Sequence, residues 1–214
     1  MRASQSSAAA SHLTVSWTYP TARDGIAGAW DRLVGPGATR GENLLQSLAP
    51  LVACVAAAVL PLTAALDWPW WKAALAGLLA ADMVGGVVTN SKNTAKRWYH
   101  RSGQTARHHL GFVALYLVQI ALVGLLFRES DWMFVAGCYG AVLAGSAAIV
   151  FSPIDLQRPV ALSLYVSTLA ASLYWVTPTL GMEWFLPTFF LKLFVAHLPM
   201  EAPLAPTPGG QPHG

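Results

Sequence analysis

Residues 70–90 read WWKAALAGLLAADMVGGVVTN. In these 21 positions the only formal charges are Lys72, near the start, and Asp82, in the middle. A helix rises 1.5 Å per residue, so about 20 apolar residues cover the hydrocarbon of a bilayer. The apolar residues do not alternate with period two, as lipid-facing strands must. Small residues recur instead at every fourth position, at Ala73, Gly77, Ala81 and Gly85. In lipid, where apolar surface gains nothing by leaving the solvent, such stripes let two helix backbones approach closely. The stretch reads as a membrane-spanning helix with one charge at depth.

Working outward, five more apolar segments follow the same rule: 44–66, 109–127, 132–152, 159–178 and 183–199. The sequence therefore implies an all-α, polytopic integral membrane bundle of six transmembrane helices, or five if the last, which contains Pro187 and Lys192, is re-entrant. Residues 44–200 form that domain. A polar, partly disordered segment (1–43) precedes it, and a disordered Pro/Gly-rich tail (201–214) follows. Further stripes at Ala136, Gly140, Ala144 and Ala148, and at Ser163, Ser167 and Ala171, imply helix contacts. Pro61 and Pro187 are expected to kink their helices.

Composition agrees. The 214 residues are 55% hydrophobic and 11% charged, against about 25% charged in ordinary soluble domains. Cys54 and Cys138 lie in separate apolar runs and form no metal-type spacing or disulfide framework. The net charge of +3 has no basic face of the kind nucleic acid requires. Basic residues do fix an orientation. Ten lie in the N-terminal segment and the second and fourth links (Arg2, Arg23, Arg32, Arg40, Lys92, Lys96, Arg97, Arg101, Arg107 and Arg158), whereas Lys72 and Arg128 flank the other side. The positive-inside rule places both termini in the cytoplasm, most simply of a bacterial inner membrane.

The loop KRWYHRSGQTARHHLG (96–111) is the basic stretch of an apolar chain. Basic loops attract anionic lipid headgroups, and Trp98 and Tyr99 suit the membrane interface, so membrane lipids at residues 92–107 are the expected partners. His100, His108 and His109 lie here, and His197 ends the sixth segment on the same expected face. His12 and His213 fall in the tails. Depth supplies a second coincidence. Asp82 stands eight residues before Asn90, and Lys192 eight before Met200, each about 12 Å deep, while Tyr116 and Gln119 reach a similar level from His109. A charge in a span costs about 2.5–3.5 kcal/mol on insertion scales, so such residues pair or line a cavity.

The candidate binding set is therefore Asp82, Asn90, His100, His108, His109, Tyr116, Gln119, Lys192 and His197, with Gly85 and Gly86 permitting close approach to Asp82. It implies a cytoplasm-facing polar pocket that binds or moves a lipid, an ion or a small anion. The alternative is a membrane-embedded, lipid-modifying enzyme with a metal held by His100, His109 and His197. Adjacent His108 and His109 point about 100° apart on a helix, so one of them faces any given site. The spacing matches no His-Glu-x-x-His zinc signature. Membrane desaturases and hydroxylases gather many more histidines, in several clusters, than this chain possesses.

Overall fold

The structure, a computed structural model, describes residues 13–206. Apart from one short strand pair, the regular structure of the described residues is helical, with four helices long and apolar enough to cross a membrane. An entry helix α1 (Gly25–Val34) precedes α2 (Arg40–Thr63) and α3 (Trp70–Asn90). The short α4 (Asn93–Tyr99) leads to α5 (Ala106–Ala114) and α6 (Leu117–Leu126), which together make one span broken at Tyr116. Then come α7 (Trp132–Val150), α8 (Ile154–Tyr174) and α9 (Phe185–Phe190), which runs straight into a π-helix (Leu191–His197). Strands β1 (Leu13–Val15) and β2 (Leu204–Pro206) pair antiparallel, with Leu13 opposite Pro206 and Val15 opposite Leu204.

Four spans by length and composition are fewer than the six the apolar segments implied. All six segments are helical, but two fall short. Helix α8 has 21 residues, yet its first turns carry Asp155, Gln157, Arg158 and Pro159. The last segment has a six-residue α part and a seven-residue π part, about 20 Å at the α-helical rise. Pro187 does not kink it. It falls in the first turn of α9, where the missing N–H has no intrahelical partner to lose.

Local signals set the boundaries. Thr39 and Glu42 form a reciprocal capping box at the start of α2, and Asp131 caps α7 by accepting from the Phe134 N–H. The core centres on the last segment. Phe185, Phe189, Leu193 and Phe194 are fully buried, and the π-helix packs against α3, α7 and α8.

The small-residue stripes divide. In α3 the stripe is a contact face: a methyl built on Gly77 would meet the Cys54 carbonyl of α2 at 2.8 Å, and one on Gly85 would meet Pro50 at 3.2 Å. In α7 the stripe Ala136, Gly140, Ala144 and Ala148 is exposed. The inward face is Val135, Cys138, Val142, Gly145 and Ile149, with Gly145 admitting the Phe194 ring. Ser163 and Ser167 of α8 are exposed as well. In lipid both faces of a helix are apolar, so a stripe does not say which side it faces.

The basic loop and the chain ends also differ from a solvated loop between polar tails. Three carbonyls at the end of α1 lack intrahelical partners. The Arg32 carbonyl accepts from Trp98 Nε1 (2.9 Å), that of Leu33 from the Tyr99 hydroxyl (2.6 Å), and that of Val34 from Lys92 Nζ (3.3 Å). Lys92 also donates to Gln46 Oε1. Lys96, with a side chain only 3% exposed, donates to the Pro199 carbonyl (2.9 Å) and lies 3.6 Å from Glu201. Burial holds its ammonium down to about 8, and Glu201 opposes the shift. The stretch expected to start a disordered tail at 201 is ordered to 206 because it pairs with β1 and donates from Leu204 N to Asn93 Oδ1. His12, His213 and the rest of both tails lie outside the described residues.

These packing faces separate two kinds of glycine. Gly77→Leu and Gly145→Leu should each lower the unfolding temperature in detergent, by the equivalent of about 1–3 kcal/mol of overpacking. Gly140→Leu, where a side chain meets open space, should leave it unchanged.

Candidate functional site

Lys192 is the second residue of the π-helix and is buried, with its side chain 3% exposed. Its ammonium donates to Asp82 Oδ1 and to the Asp82 backbone carbonyl, each at 2.9 Å. Its third side faces the Tyr116 ring, 4.6 Å from the centroid. Gly86 makes this possible. A methyl there would collide with the lysine stem and fall 2.7 Å from Nζ, so only glycine lets Lys192 cross α3 to reach Asp82. Asp82 itself is 45% exposed along its side chain. Gln119 Nε2 lies 3.5 Å from its Oδ2, and Gln119 Oε1 is buried without a hydrogen-bond partner among the described residues.

A cavity of about 350 Å3 opens at this pair, lined in part by Asp82, Asn90, Tyr99, Phe112, Tyr116 and Lys192. Four residues of the expected set thus share one cavity wall, with Gln119 beside them. Sequence reasoning missed Tyr99 and Phe112, since an aromatic near a helix end reads equally as an interface anchor.

The histidines separate by role. His108 turns back on its own helix start, where its Nδ1 accepts from the Thr105 N–H (3.2 Å) and meets the Thr105 hydroxyl (2.9 Å). His100, His109 and His197 come together, with ring centroids 4.7, 5.4 and 6.4 Å apart. His109 Nδ1 and His197 Nε2 are 3.4 Å apart. His197 is buried against Phe112 (4.5 Å) and Tyr99 (5.7 Å). These two rings line the Asp82 cavity, whereas His100 and His109 line a second cavity of about 620 Å3. His197 therefore forms part of the wall between them.

The π-helix produces this placement. Residues five apart on an α-helix point about 140° from one another. An i→i+5 helix, evident in the Leu198 N–H to Leu193 carbonyl bond of 3.1 Å, brings them closer to one face. Lys192 and His197 are five apart. Nothing in the sequence signals the switch.

The three rings pack against one another. A carbonyl only accepts, so His100 Nε2, 3.0 Å from the His197 carbonyl, carries the proton and is unavailable to an ion. The His100 and His109 rings stack rather than converge on a point. Among the described residues no group of three or more His, Cys, Asp or Glu side chains is arranged to hold a metal.

No protein family, curated protein or solved structure matches this chain.

Two measurements follow from the site. Asp82→Asn strands an ammonium that is buried, whereas Lys192→Met leaves a carboxylate that is half-exposed. The first should cost more, about 3–5 kcal/mol, and the double variant should recover part of the loss. Additive effects in a double-mutant cycle would refute the coupling. The second concerns acid. Burial first, then His109 and Lys96, press the His100 pKa down to about 3. The unfolded chain takes up this proton below about 6.5, so it binds more protons than the folded chain between 6.5 and 3, and stability falls with pH across that window. The unfolding temperature in detergent should drop from pH 7 to pH 4, and His100→Gln should reduce the drop.

Proposed function

We propose that this protein binds, and in binding carries or sequesters, a lipid-soluble ligand through a hydrogen-bond donor or cationic group received by Asp82. The observation that carries the reading is the unspent acceptor capacity of the site. The three donors of Lys192 are occupied by Asp82 Oδ1, the Asp82 carbonyl and the Tyr116 ring. Asp82 Oδ2 has only a long contact to Gln119, and Gln119 Oε1 has none. A small anion at this floor would meet the Asp82 carboxylate and the Gln119 side-chain oxygen. An amine or hydroxyl would satisfy both. Exposed Leu78, one turn from Asp82, and exposed Leu115, one turn from Gln119, suit the apolar body of such a ligand.

The setting is a bilayer. Four helices meet the requirement for crossing one, and six passes are the reading supported by the path of the last segment. Gly181 sits against Trp68, at the end of the bundle that carries the 64–69 link, while His197 sits against His100 at the basic end. Surrounded by other helices, a 13-residue helix need not cover the hydrocarbon alone. In a bacterial inner membrane the basic end, with both chain ends, would be cytoplasmic. The outward Arg107 would meet anionic headgroups there, while Lys92 and Lys96 are internal fasteners. A metal-dependent, lipid-modifying enzyme has no donor set among the described residues to support it.

Dodecylamine added to the purified protein in neutral detergent should raise the unfolding temperature, as a ligand of the folded state does. Asp82→Asn should abolish the response. An equal response in that variant would overturn the reading.

A further inference from the structure

The larger cavity, of about 620 Å3 at the basic end, has the opposite chemistry. Arg101 is its charged group. The guanidinium stacks on Trp98, 3.8 Å from the ring centroid, and Nη1 donates to the Trp98 carbonyl at 2.5 Å. Its remaining N–H groups make no hydrogen bond among the described residues. Gln157 accepts the Met200 N–H at its Oε1 (2.9 Å), and its amide nitrogen donates to no described residue. Thr105 and Ala106 bring the start of α5 to the wall. The N–H groups of Ala106 and Arg107 are the unpartnered donors of that helix start, at its positive end. Among the described lining residues there is no Asp or Glu. The nearest carboxylate described above, Glu201, is held by Lys96 at 3.6 Å and Arg158 at 3.7 Å.

We propose that this cavity binds a phosphate-class anion, gripped by the free edge of Arg101 and by the N-terminus of α5. Free N–H donors, a fork-shaped cation and a helix N-terminus along one cavity wall are the chemistry that phosphate oxygens require. Trp17 and Tyr19 wall the space from the N-terminal segment, with Tyr19 edge-on to Trp98 at 5.4 Å. The volume exceeds that of bare phosphate and accommodates an attached polar group. The site is independent of the Asp82 reading and lies on the far side of His197.

The test uses the full chain in neutral detergent, titrated calorimetrically with inorganic phosphate, with dihexanoyl phosphatidic acid and with zwitterionic dihexanoyl phosphatidylcholine. At least one of the first two should bind. Phosphate binding identifies a free anion as sufficient, and binding of phosphatidic acid alone identifies a lipid headgroup. Arg101→Ala should weaken binding at least about tenfold, and Arg101→Lys should restore part of it, because an ammonium keeps the charge and loses the fork. Ala106→Asp favours the start of α5 and so preserves folding, yet it should also weaken binding about tenfold by placing a carboxylate in the cavity. Arg107→Ala removes the same charge from the exposed face of the loop and should change affinity less than twofold. Binding by neither phosphate probe, unaltered binding in Arg101→Ala or Ala106→Asp, or an equal loss in Arg107→Ala would overturn the proposal.

Discussion

An ammonium ion cannot stand alone inside a helix bundle in lipid, and Lys192 is placed there. Much of the inner architecture follows from satisfying it. Asp82 supplies a carboxylate and its own carbonyl, Tyr116 a ring face, and Gly86 the gap through which the lysine stem passes. The residue is the second of a π-helix, and π turns in helices are frequent at functional sites. The pair is asymmetric, with the cation buried and the anion half-open. A purely structural ion pair gains nothing from leaving its carboxylate exposed, whereas a receiving site requires it.

The same constraint recurs at the basic end. Lys92 and Lys96 are buried, and each is anchored on a backbone carbonyl from a distant part of the chain. With Trp98 and Tyr99 they satisfy the end of α1 and tie α4 to the last segment. A stretch that looks like a solvated loop is thus the buckle holding the N-terminal segment, the 92–107 link and the C-terminal strand together. A consequence is that little of its charge is left outward, and Arg101 and Arg107 become the groups that decide what the basic end attracts.

Two cavities, one floored by the Asp82 carboxylate and one edged by the Arg101 guanidinium, meet at His197. The imidazole touches aromatic walls of the first and a histidine of the second. Any change in either cavity that moves the π-helix is felt at this ring, since Lys192 and His197 lie at opposite ends of the same seven-residue element.

The sequence by itself determined the helical class, the membrane setting and the depth of the polar groups. Apolar length and a fixed rise per residue are one-dimensional quantities, and they placed Asp82, Tyr116, Gln119 and Lys192 at one level. Counting along the chain cannot give azimuth. Whether Gly140 or Gly145 of α7 faces inward, whether His108 or His109 joins His197, and whether Lys96 points to lipid headgroups or to the Pro199 carbonyl depend on which surfaces other helices present. The short last segment was also decided at that level. Its length is too small for a lone span, but a helix surrounded by others has its polar backbone shielded by them, and the widened π turn brings Lys192 and His197 toward one face.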